Sequence, residues 1–124
     1  MKNKLLFLIL AILIISSCSE KENVPNGIIP PPEMAHIITK IYNAEHKVGQ
    51  IRIPQDSSEE VFRHFELMIY EDHSITDSIY KKSFRYYLEH PEMLESIYDI
   101  VIDSLSIQDQ IRAAASKKKK SNKK

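Results

Sequence analysis

Large apolar residues recur at three- and four-residue spacing in four successive blocks, and helix-breaking residues fall between the blocks. This pattern constrains the chain more than any other, because each block predicts one amphipathic helix and none alternates as a strand would. Pro32 sits at the first helical position of the first block, where its missing N–H costs nothing. Met34, Ile37, Ile38, Ile41 and Val48 then form the apolar stripe, and Gly49 is a natural stop. Ile51-Arg52-Ile53-Pro54 reads as an extended connector pinned to the core through its isoleucines. Ser57-Ser58-Glu59-Glu60 reads as a capping box, Ser57 paired with Glu60, opening a helix with Val61, Phe62, Phe65, Met68 and Ile69 on one face and an end near Asp72-His73.

Ile75-Thr76-Asp77 supplies a hydrophobic staple and an N-cap for a third helix running to about Glu89. Its face is Tyr80, Phe84, Tyr87 and Leu88, flanked by Ile79, Ser83 and Tyr86, an arc wide enough to predict the central helix. His90-Pro91 breaks the chain and restarts it, with Leu94, Ile97, Tyr98, Val101 and Leu105 on the inner face of the fourth helix. The predicted fold is all-α, a small four-helix (three plus one) antiparallel bundle over residues 32–111. A flexible tether over 18–31 precedes it, with turn chemistry at Val24-Pro25-Asn26-Gly27 and stiffening at Pro30-Pro31-Pro32. The low-complexity segment 112–124 is expected to be disordered.

The formal net charge of the 124-residue chain is zero, but the charges are segregated. Residues 28–111 hold 7 Lys/Arg against 15 Asp/Glu, and residues 112–124 hold 7 basic residues and no acidic one. On the fourth helix Glu92, Glu95, Asp99 and Asp103 fall within about 80° of arc and read as an acidic docking strip. With Tyr86 and the run Lys117, Lys118, Lys119 and Lys120, they form the candidate interaction surface. The lysines attract anionic surfaces such as lipid head groups. Nucleic acid is not expected, because no aromatic residue is interleaved with them for base stacking.

Site chemistry is sparse. One Cys and two Gly exclude a disulfide scaffold, a zinc ribbon and a glycine-rich phosphate cradle. Glu33-Met34-Ala35-His36 has the Glu-x-x-His spacing of di-iron bundles, but a site of that kind needs a second copy and further glutamates. Glu60 and His64 are one turn apart, and two ligands do not make a site. No Ser lies on a Gly-x-Ser-x-Gly elbow. The expectation is a protein without cofactor, metal or catalytic residues, not an enzyme.

The first 18 residues carry an address. Met1-Lys2-Asn3-Lys4 is a positive segment, and the apolar run Leu5 to Ile15 spans only about 16 Å, too short for a membrane helix. Residues 1–17 read as a secretory signal. Ile15-Ser16-Ser17-Cys18 resembles the lipobox of bacterial lipoproteins, which implies that Cys18 is acylated and becomes the mature N-terminus. Two or three acyl chains anchor a protein stably, so it would sit on a membrane without spanning it.

Between Ile28 and Leu105, the residues Ile29-Pro30, Met34 to Ile38, Ala44-Glu45, Ser83-Phe84-Arg85-Tyr86-Tyr87, Pro91 and Ile97-Tyr98 occur in an order that resembles a family of small Bacteroidetes lipoproteins. That family is catalogued as a domain of unknown function. The resemblance implies a helical domain in the cell envelope, most readily at the outer membrane, and carries over no catalytic or binding residue. Ser19-Glu20-Lys21-Glu22 partly matches the acidic surface-export signal of such bacteria, which leaves open which membrane face the protein occupies. The expected function is a lipid-anchored helical module that binds another envelope protein as an accessory or assembly factor. The alternative is an anchored binder of a small apolar or lipid ligand inside the bundle.

Overall fold

A computed structural model describes residues 24–121. The predicted signal segment 1–17, Cys18 and the tether up to residue 23 lie outside the described residues, as do 122–124. Four helices follow in order: α1 (Pro31–Gly49), α2 (Gln55–Asp72), α3 (Asp77–Leu88) and α4 (Pro91–Ser121). Among the described residues there is no strand, so the architecture is the all-α, four-helix bundle predicted from periodicity.

The centre of the bundle is α1, which packs against both α2 and α4. It was expected to be the third helix, and the correction has a physical reason. The wide apolar arc of α3 is covered on one side only: Tyr80, Phe84 and Tyr86 stay half-buried. Only Ser83 and Tyr87 of α3 are buried, and Leu88 is 58% exposed. In α1 the small residues Ala35, Thr39 and Ala44 are buried beside Met34, Ile37 and Ile38, which lets neighbouring helices approach from two sides. Ile97 and Val101 of α4 and Ile69 and Tyr70 of α2 complete the core.

Helices α1 and α2 form an antiparallel pair, since the end of α2 meets the start of α1: Lys40 lies 3.6 Å from Asp72, and His73 lies 3.6 Å from Glu33. From there α3 crosses to α4, and α4 leaves from the end where α1 begins and lies along it. The Asn43 amide donates to Gln108 Oε1 at 2.9 Å, and Arg112 donates to Asn43 Oδ1 at 3.1 Å.

Helix boundaries follow local chemistry, with one correction. Thr76 caps α3 as expected, its hydroxyl accepting from the Ile79 N–H. The capping box of Ser57 and Glu60 does not form. Pro54 fixes the backbone so that α2 starts at Gln55, a turn earlier than the box requires, and Ser58 donates to the Gln55 carbonyl instead. In the connector, Ile53 is half-buried but Ile51 is 49% exposed, so only one isoleucine is pinned.

Two further boundaries move. The expected tether ends inside the core: a turn from Pro25 to Ile28, with Gly27 at φ +81° supplying the left-handed position, turns Ile28 and Ile29 inward to 8% and 3% exposure. The expected disordered tail is, through Ser121, a continuation of α4. The reason is cooperative. An ordered helix supplies the costly nucleus, and Ala113-Ala114-Ala115 followed by lysines propagates it with the best intrinsic propensity. Lysines in the last turn also meet the negative end of the helix dipole favourably.

Candidate interaction surface

The predicted surface residues fall on one helix and its entrance. Glu92 stands in the first turn of α4, where the helix dipole favours a carboxylate. Glu92, Glu95, Asp99 and Asp103 are all exposed, and none takes part in an ion pair among the described residues. Lys117, Lys118, Lys119 and Lys120 are exposed at the far end of the same helix. At a rise of about 1.5 Å per residue, Lys117 is about 21 Å from Asp103 along the axis, beyond the screening length of about 8 Å at physiological salt. The helix therefore holds this strip and the lysine run apart, with Asp109 and Arg112 paired at 3.3 Å between them. Tyr86 differs from the rest: it is half-buried, stacked on His90 with ring centroids 4.0 Å apart and edge-on to Tyr87 at 5.4 Å. Its role is to close the α3–α4 corner, where His90 Nδ1 also meets the Tyr86 carbonyl.

The apolar half of this surface lies outside the strip predicted from charge. Ile100, Ile107 and Ile111 are 42%, 57% and 63% exposed, and Ile102 on another side of α4 is 61% exposed. The signal was present, since these isoleucines interrupt an inner face that is complete without them. Leu67 and Met68 on α2 are likewise about half exposed (47% and 48%).

Two clusters assembled from separate helices were also not legible. The Tyr70 hydroxyl donates to Glu66 Oε1 at 2.9 Å, Glu66 Oε2 accepts from Arg63 at 2.8 Å, and the Tyr70 and Tyr80 rings lie 5.1 Å apart. Burial pushes the Tyr80 hydroxyl up to about 12, and burial together with the Glu66 hydrogen bond raises Tyr70 further. Beside Arg63, Asp77 is held below the usual carboxylate range, chiefly by its hydrogen bond from Lys81. At the other cluster Glu33 and His36 of the Glu-x-x-His pair meet His73, whose ring lies edge-on to His36 at 5.2 Å. Among the described residues no group of three His, Cys, Asp or Glu is arranged to hold a metal ion.

Between α1 and α2, an open depression of about 230 Å³ is lined by Glu45, Val48, Gly49, Gln55, Ser58, Glu59 and Phe62. It lies on the outside of the helix pair, whereas the interior is filled by Met34, Ile37, Tyr87, Ile97 and Val101, each at most 2% exposed.

Fold and surface together define a small all-α domain with a long, charge-segregated final helix. The chain belongs to the family described as domain of unknown function DUF4296, which it matches over residues 25–111. That span includes Ile28 and Ile29, in keeping with their place in the core. Neither a curated protein nor a solved structure gives a significant match.

Proposed function

We propose that this chain is a lipid-anchored lipoprotein of the cell envelope, held at the outer membrane through Cys18, and that its helical domain is a non-enzymatic interaction module for another envelope protein. The observation that carries the reading is the surface of α4, where exposed isoleucines run beside carboxylates that lack ion-pair partners. An apolar strip with a charged rim is the anatomy of a protein interface. The filled interior gives no comparable support to an apolar ligand held within the bundle. No helix among the described residues is long and apolar enough to cross a membrane, which is compatible with anchoring by acyl chains.

The test has two arms. Replacing Cys18 by Ala should release the protein from membranes or leave its leader uncleaved, and intact-mass analysis of the wild type should show acylation at Cys18. Crosslinked envelopes should yield a partner captured by the wild type and lost when Ile107 is replaced by Asp. An unmodified mature N-terminus elsewhere would overturn the anchor, and equal capture by both forms would overturn the interface.

A further inference from the structure

We infer that the partner seated on α4 is a second copy of this chain, the two α4 helices lying antiparallel with Ile100 of each level with Ile111 of the other. The inference rests on the reading of α4 as an interface and takes a copy of this chain, in place of a different envelope protein, as its occupant. Three observations converge on it.

The first is the stripe. At about 100° per residue, Ile100, Ile107 and Ile111 fall within about 40° of arc, on a face some 100° from the side that packs on α1. Ala114, exposed, continues the same stripe seven residues beyond Ile107. The second is reach. Beyond the contact of Arg112 with Asn43 of α1, residues 113–120 are exposed throughout, so the last turns of α4 are open to a partner.

The third is charge. Glu92, Glu95, Asp99 and Asp103 lie along one flank of the stripe, and Lys117 and Lys120 lie on that same flank farther along, all within about 100° of arc. Two antiparallel helices related by a two-fold axis across such a stripe face each other flank to like flank. An antiparallel pair that sets Ile100 against Ile111 of its copy brings Glu92 level with the space between Lys117 and Lys120 of the copy. A parallel two-fold pair would set the acidic flank of each copy beside the opposite flank of the other, where carboxylates and lysines would not meet. One helix therefore carries both halves of a self-complementary surface, which a single copy keeps too far apart to satisfy itself.

The experiment is sedimentation equilibrium of the full chain in density-matched detergent, at low and high salt. The wild type should be a dimer whose dissociation constant rises at least tenfold with salt. Ile107→Asp and Ile111→Asp should be monomers with unchanged helicity, because both side chains are exposed, and should lose only the concentration-dependent part of the melting temperature. The pair Lys117→Glu and Lys120→Glu should weaken the dimer tenfold or more, and adding Glu92→Lys and Glu95→Lys should restore it. A monomeric wild type, a dimer indifferent to the Ile107 and Ile111 changes, or a charge swap without rescue would overturn the inference. If the wild type is monomeric yet binds vesicles containing phosphatidylglycerol, the stripe faces lipid and both the self-pairing and the protein interface fail. If it is monomeric yet still captures another envelope protein that Ile107→Asp loses, self-pairing fails and the interface reading stands.

Discussion

The Ser83 hydroxyl accepts from the Ile29 N–H at 2.9 Å and donates to the Ile79 carbonyl at 2.8 Å, while the Tyr87 hydroxyl donates to the Ile29 carbonyl. Both backbone groups of one buried residue are thereby satisfied by a single turn of α3. Ser83→Ala leaves the Ile29 N–H buried without its acceptor, and Tyr87→Phe does the same to the carbonyl. Each should cost about 1–3 kcal/mol, the usual penalty for an orphaned buried polar group, out of a total of about 5–15 kcal/mol. Urea denaturation checks this, and a double-mutant cycle should be less than additive because both changes free the same residue. The tyrosines set a second expectation. Tyr70 and Tyr80 are raised above the ordinary value of 10.0 by burial first of all. A raised value stabilises the fold fully below about pH 10. For Tyr80 that contribution is lost as pH climbs from 10.0 through about 12. The melting temperature should hold from neutral to about pH 9 and fall above pH 10. Phenolate absorbance should rise in step with unfolding, and ionisation of all tyrosines in a folded chain would refute the buried placement.

At the scale of elements, α4 makes the sharpest claim, that helix persists past the body to Ser121. Ala114→Gly should cost about 1 kcal/mol of local helix stability and return Lys117–Lys120 towards random-coil chemical shifts, with the urea midpoint of the body unchanged. Random-coil shifts for those lysines in the wild type would contradict the helix. The four helices were legible because Pro91 and Thr76 act locally, and because apolar spacing reports a buried face wherever that face is needed. Misreadings arose where a local signal met a stronger neighbour: Pro54 pre-empted the Ser57 box, and a nucleated helix carried a low-complexity tail. The centrality of α1 was hidden for a different reason. Small residues such as Ala35 and Ala44 mark close approach only when the approaching helix is known. The meeting of Tyr70, Glu66 and Arg63 with Tyr80 and Asp77, and of Glu33 and His36 with His73, depends on helix crossings that no spacing within one segment encodes.

For the molecule as a whole, the domain begins at the turn before Ile28 rather than at the first helix. A chain starting at Pro32 should be less stable than one starting at Val24, since burial of Ile28 and Ile29 contributes about 1.5–3 kcal/mol each and the Ser83 and Tyr87 hydroxyls lose their partner. Equal urea midpoints for the two chains would place the leading segment outside the fold. The same contact has a mechanical side. Ten residues separate Cys18 from Ile28, and an extended chain of that length reaches no farther than about 35 Å. With Cys18 held in a bilayer, any load on the domain would travel along this short leash and arrive at Ile29. There it would be borne as shear by two hydrogen bonds at the flank of α3, instead of peeling α1 open from its first turn.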